Sequence, residues 1–371
     1  GDLLVISSDV QFNFRDNVEP LYRELVDLTL SQADASPNVT LAGLEQALSN
    51  NDALRLAAMV KLMGCVLAET QETAEVLAQE IDPHAAFIYP IILEDRLDVV
   101  YKLPQQPLQH HVVNDLSHSQ NENLIGRKRI EQIRPRGLSR TKQGARQLYQ
   151  WMIEPIEQTL ASQSEPISTL VFLLDGPLRN VPMSYLLDGE GTYLVQKYPV
   201  AVISSRQLLS TETRRPDAGI LAAGIAEPRT FPDAGSFKAI PSVVDELTQI
   251  QSLNENSDVP LLNQAFTGEN LAERIDLGRY STVHIATHGE FYSDPEKTFL
   301  LAWDRLIKFR EFSEVFQINR HGTTSAIDLL VLSACETASG DRRAALGLAG
   351  ASAQDNVRTS LATLWPVEDK A

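Results

Sequence analysis

Two early stretches, 17–33 (NVEPLYRELVDLTLSQA) and 40–64 (TLAGLEQALSNNDALRLAAMVKLMG), carry apolar residues at helical spacing and predict a helical lead-in. The period then changes. Residues 84–104 (HAAFIYPIILEDRLDVVYKLP) hold two β-rich runs joined around Glu94-Asp95, the pattern of a hairpin. The polar stretch 105–136, with three of the seven histidines, reads as a loop and part of a helix. One long amphipathic helix is expected over 139–161, with Ser139 placed to cap it. Strands are expected at 168–176 (STLVFLLDG) and 192–205 (TYLVQKYPVAVISS).

After a linker-like TRRPDA at 213–218 the alternation becomes regular. Strands at 219–226, 259–264, 282–287, 327–334 and 359–365 alternate with helices at 242–253, 267–277, 310–317 and 344–354, and 298–309 reads as a hairpin. Such alternation predicts an α/β unit with a mainly parallel sheet covered on both faces. The chain thus divides into a helical lead-in (1–80), an α+β segment (81–215) and an α/β segment (216–371).

In an open parallel sheet, ligands bind outside the carboxyl ends of the strands. Two strands of the last segment stop at reactive side chains there. VHIATHGEF ends its apolar run at His288, and DLLVLSACETASG ends its run at Cys335. Adjacent strands would bring the two together. A thiol near an imidazole is the minimum for cysteine nucleophilic catalysis: the histidine assists thiolate formation and later protonates the leaving amine. Gly289 lets a backbone approach closely, and a backbone N–H at the turn after Cys335 would suit an oxyanion hole.

Composition narrows the field. The 371 residues, 43% of them hydrophobic, are enough for a large core and more than one core usually serves. A formal net charge of −17 disfavours nucleic acid and anionic membranes as direct partners and favours basic segments of a protein. No apolar run approaches the roughly 18 residues of a membrane span, and no signal peptide opens the chain. Both ends read like the interior of a longer protein, so a truncated C-terminus is expected. Two cysteines, Cys65 and Cys335, make no disulfide framework, and no CxxC or His/Cys cluster suggests zinc. No metal or other cofactor is expected, and a reducing, cytoplasmic compartment is favoured.

Taken singly, neither residue is diagnostic. A cysteine ending an apolar strand is more often an inert buried thiol, and a lone strand-end histidine more often structural. Their matched placement with small neighbours (Ala286, Gly289, Ala334) brings the functional reading to parity. Other residues carry the bland reading. His110-His111 and His118 read as solvated in a polar loop, and Cys65, near Met59 and Met63, as core packing. The Asn38-Val39-Thr40 triplet reads as chance. Arg342-Arg343 reads first as a solvated pair, with a self-processing site as the alternative.

The motifs VHIATHGEF, LLVLSACETASG, ALGLAGA and SLATLWPVED resemble the CHAT domain, the caspase-like domain associated with tetratricopeptide repeats. TFLLAWDRLIKFREF, LVFLLDGPLRNVPMSYLLDG and FNFRDNVEPLYRELVDL are similar to its cyanobacterial type. The resemblance implies a caspase-like α/β sandwich at 216–371, preceded by a pseudo-protease-like half at 81–215 that has neither histidine nor cysteine in LLDGPLRN. It implies His288 as general acid/base, Cys335 as nucleophile, and the N–H groups of Gly289 and Cys335 as the oxyanion hole. DNVRTSLATLW departs from the family's usual continuation. The implied activity is a cysteine endopeptidase acting on a protein partner, regulated by tetratricopeptide or other domains outside this chain. The alternative is a catalytically silent scaffold on the same fold.

Specificity has its own candidates. In the caspase-like fold, the segment after the strand that follows the nucleophile strand lines the first specificity pocket. Here it is WPVED, so Asp369 first and Glu368 second would hold a basic residue before the cut, arginine better than lysine. A solvated terminal charge pair is the competing reading. Glu336, beside the nucleophile, touches substrate or is a surface charge.

Overall fold

The structure is a computed structural model, which describes residues 18–33, 37–63, 82–93, 96–113, 138–203, 218–232, 234–253, 256–291, 297–317, 327–337 and 357–362. The chain divides into two compact units, Gly1–Thr211 and Glu212–Ala371. The expected linker at 213–218 lies almost wholly outside the described residues.

In the first unit the apolar runs at 86–92 and 97–102 form β1 (Ala86–Ile92) and β2 (Leu97–Lys102), antiparallel and buried on both faces. Continuous burial explains the unbroken apolar run of β1, and in β2 it takes in Asp98 and Lys102 as well. The sheet has five strands, in the order β3-β2-β1-β4-β5, where β3 is Leu108–Val113, β4 Leu170–Phe172 and β5 Val200–Val202. The lead-in helices α1 (Glu19–Ala33) and α2 (Pro37–Met63) cover one face through Val26, Leu30, Leu44 and Leu48 against Phe87, Tyr89 and Val100. Two further helices, α3 (Leu138–Met152) and α4 (Glu154–Ala161), cover the other with Leu148, Met152 and Ile156.

Four expectations for this unit need correction. The helix over 139–161 is two helices, because Pro155 at the start of α4 supplies no N–H and its ring clashes with the preceding turn. Ser139 lies inside α3, which begins at Leu138, and is not its cap. His110-His111 is not a solvated loop. It lies in β3, where pairing with β2 sets the His110 Nε2 atom 3.3 Å from the buried Asp98 carboxylate. Cross-strand pairing, invisible to a polarity scan, overrides the polar composition there. Residues 192–205 are also less extended than expected: a one-turn helix α5 (Leu194–Lys197) precedes the short β5.

At the carboxyl end of β4, Asp175 sits in the LLDGPLRN segment, almost wholly buried. Its carboxylate accepts from Arg23 Nη1 at 3.0 Å and from the Ile92 N–H at 3.0 Å. That pair, with burial opposing it, drives the Arg23 guanidinium pKa above its ordinary value. An ion pair thus closes this strand end.

The second unit matches the expected alternation closely. Its parallel core runs β9-β6-β10-β13-β14, with β6 Gly219–Gly224, β9 Leu261–Leu262, β10 Tyr280–Phe291, β13 Ile327–Thr337 and β14 Val357–Ala362. An antiparallel hairpin, β11 (Phe299–Leu301) and β12 (Leu306–Lys308), continues the sheet from the far end of β10. Helix α6 (Ser242–Ser252) covers one face through Val243 and Leu247 against Ala222 and Ala286. On the other face α7 (Gly268–Asp276) and α8 (Phe309–Gln317) pack Leu271, Ile275, Phe312 and Phe316 against Leu221, Ala223, Val283 and Ile285. Thr267 caps α7, accepting from the Asn270 N–H at 3.1 Å. An unexpected small hairpin, β7 (Arg229–Phe231) and β8 (Gly235–Phe237), follows β6. The expected helix at 344–354 lies outside the described residues. Among the described residues, no helix is long and apolar enough to cross a membrane.

Candidate active site

Strand β10 pairs with β13 in parallel from Thr282↔Leu329 to His288↔Cys335. The two strand ends singled out in the sequence are therefore neighbours, and positions 288 and 335 face each other in the ladder. Register partners in a parallel pair lie on the same face of the sheet, the face that α6 covers lower down. Beyond His288 the register with β13 shifts before Phe291, an irregularity of the kind that bends a strand beside a site. There β10 changes partner on its other side as well. Gly289 stands opposite Leu300 and Glu290 opposite Phe299, on β11. On the opposite face Thr287, fully buried, donates its hydroxyl to the Leu301 carbonyl at 2.7 Å and ties β10 to β11 just before the histidine.

The His288 ring is held by the segment that follows β8. Its Nε2 lies 2.7 Å from the Lys238 carbonyl oxygen. A carbonyl can only accept, so Nε2 carries the proton, and in the neutral ring the lone pair is on Nδ1. The neighbouring Phe237 ring packs on the imidazole, centroids 5.6 Å apart and planes at 41°. Across the hairpin from Phe237, Arg229 stacks on Trp303, its Cζ 4.0 Å from the ring centroid, and donates Nη2 to the Trp303 carbonyl at 2.6 Å. The β7–β8 hairpin is thereby fastened to the β11–β12 turn.

Below the strand ends a polar cluster lies within the apolar face under α6. His284, two pleats before His288 on the same face, has its Nε2 2.8 Å from the Glu246 carboxylate of α6. The hydrogen bond from His284 holds the Glu246 carboxyl below its ordinary value, against the opposing effect of burial, and a hydrogen bond from Ser333 on β13 adds to it. One carboxylate thus ties α6 to both strands of the candidate site.

That arrangement has a pH signature. A carboxyl depressed in the folded state contributes stability that is complete above its unfolded value, near 4.5, and is lost as pH falls through the folded value. Urea midpoints of the wild type and Glu246→Gln, measured from pH 7 down to pH 3, should therefore differ most at the upper end and converge on acidification. Parallel profiles would show that the carboxylate does not tie the layers together.

Of the remaining candidates, Glu368 and Asp369 lie outside the described residues, as do Cys65 and the side chains of Cys335 and Glu336. Among the described residues no group of three or more His, Cys, Asp or Glu could hold a metal ion. Sequence reasoning missed Phe237, Lys238 and the Glu246–His284 pair. A hairpin signal was present in FPDAGSF, whose Gly235 takes φ +81°, a value that glycine adopts without strain. His284 and His288, four apart on a strand, share a face by period alone. Nothing in the sequence marks a main-chain carbonyl as a partner.

The sequence model of the CHAT domain family matches residues 142–371. No curated protein matches the chain.

Proposed function

Because the chain belongs to the CHAT domain family, which is related to the caspase-like cysteine peptidases, we propose that it is a cysteine endopeptidase that hydrolyses peptide bonds of a protein partner. The observation that carries this reading is the register pair His288↔Cys335 at the carboxyl end of the parallel sheet. The Lys238 carbonyl supports it by leaving Nδ1 of His288 as the basic nitrogen.

The chemistry follows from those groups. His288 takes the Cys335 thiol proton, and the thiolate sulfur adds to the scissile carbonyl carbon. The carbonyl oxygen becomes an oxyanion, stabilised by the N–H groups of Gly289 and Cys335. The C–N bond breaks, and the imidazolium delivers its proton to the leaving amine. Water, deprotonated by His288, then hydrolyses the thioester and returns the thiol. In the charged intermediate the Lys238 carbonyl continues to accept from Nε2.

The substrate side of the proposal is a basic residue before the cut, held by Asp369 or, second, Glu368, with Glu336 at the rim. The acidity of the chain would draw basic segments inward, weakly at physiological salt. Tetratricopeptide or other domains outside this chain would regulate access, in a cytoplasmic setting. The test is a panel of fluorogenic peptides differing only in the residue before the cut. Cleavage after arginine, weaker after lysine and lost in Asp369→Ala, is expected. Cleavage after aspartate or an apolar residue, with arginine ignored, overturns the basic specificity. An arginine preference unchanged in Asp369→Ala moves the pocket carboxylate elsewhere. Complete inactivity of the full-length protein toward its partner would favour the silent scaffold.

A further inference from the structure

We propose that Phe237 is a positioning residue for His288, fixing the plane and tautomer of the imidazole; this rests on the reading of His288 as general acid/base. A single hydrogen bond from Nε2 to a carbonyl leaves the ring free to turn about that contact. Among the described residues it is also the one bond opposing a flip about Cβ–Cγ, which would put Cε1 in the place of Nε2 and Cδ2 in the place of Nδ1 and so take both nitrogens off their positions. A second contact on the ring face removes that freedom. Phe237 supplies it at a centroid separation of 5.6 Å and an interplanar angle of 41°, within the range of favourable aromatic pairs.

The Phe237 ring is itself immobilised. It meets Phe299 edge-on at 6.0 Å and 77°, and Phe231 edge-on at 6.4 Å and 72°. Phe299 belongs to β11, which pairs with β10 at Gly289 and Glu290, so the buttress is built on the histidine's own strand. On the far side, Arg229, the register partner of Phe237, is pinned on Trp303. Phe237 and Lys238 are consecutive, so a single strand end delivers both the ring contact and the carbonyl. Displacing it would loosen the histidine's plane and its tautomer together. Pure packing is the competing role, since Phe231 and Phe237 also rest against the core of the unit.

Ring shape separates the two roles. The Nε2–H tautomer and the Cε1–H resonance of His288 can be read by nitrogen-15 and proton NMR of the full chain, assigned by their absence in His288→Ala. Phe237→Tyr keeps the ring, and Phe237→Leu keeps apolar bulk without it. The wild type and the Tyr variant should show a single Nε2–H tautomer and an upfield-shifted ring proton. In the Leu variant, and in Phe237→Ala if it folds, both tautomers should be populated and the shift lost. With a cleaved peptide in hand, kcat should fall roughly 10- to 100-fold in the Leu variant with KM nearly unchanged, the cost of a misplaced catalytic group. A Leu variant that keeps the wild-type tautomer and resonance overturns the proposal. Equal losses in the Leu and Tyr variants do so too. Failure of the underlying reading looks different: Cys335 would alkylate at the same rate with and without the His288 imidazole, whatever the ring measurements give.

Discussion

Cys335→Ala should abolish peptide cleavage while leaving the unfolding transition in place. In the proposed mechanism the nucleophile is the thiolate, and a methyl group can neither attack a carbonyl nor hold an acyl group. The loss should be at least roughly 10⁴-fold in kcat, with residual turnover set by binding and oxyanion stabilisation alone. His288→Ala should cost nearly as much, and the double variant little more than either single one, because the proposed mechanism has the two act as a unit. Alkylation gives an independent reading. In the proposed dyad the imidazole assists formation of the reactive thiolate, so iodoacetamide should modify Cys335 much faster than Cys65. Mass spectrometry of tryptic peptides over a time course would measure both rates. Full activity in the alanine variant, or equal labelling of the two cysteines, would remove Cys335 from the chemistry.

Gly224→Ala should destabilise the second unit strongly. Gly224 is the register partner of Ala286, at the point where β6, β10 and α6 meet. A Cβ there would lie 2.5 Å from the Ala286 carbonyl oxygen and 2.7 Å from Val243 Cγ1. The first contact decides the outcome. That carbonyl already accepts from the Ile225 N–H at 3.0 Å, so moving it away breaks a ladder hydrogen bond one layer below His288. Overpacking of this kind typically costs about 1–3 kcal/mol, and a backbone obstacle places it at the upper end. Urea unfolding followed by circular dichroism should show the lowered midpoint, and a midpoint equal to that of the wild type would mean that α6 can lift off the sheet freely.

Much of the second unit was legible because its sequence is locally consistent. Each strand is a short apolar run, and Thr267 marks the start of α7. The first unit was less legible for a specific reason. Leu108–Val113 becomes a strand only because β2 offers it a partner, and its histidines are polar by composition but held beside Asp98 by register. Pro155 did announce a helix break, and the amphipathic period running across it concealed the signal.

By itself the sequence determined that His288 and Cys335 each close an apolar run, though the strands continue past both, and that the last segment alternates strand with helix. Those are properties of neighbouring residues, written in hydrophobic period and strand length. Tertiary structure decided the rest. That the two strands are adjacent, with residue 288 opposite residue 335, depends on a register set by packing on both faces of the sheet. The partners of the histidine are a main-chain oxygen at Lys238 and the ring of Phe237, about fifty residues upstream. A backbone carbonyl carries no residue identity, and a ring contact leaves no periodicity, so neither partner can be read before the chain is folded.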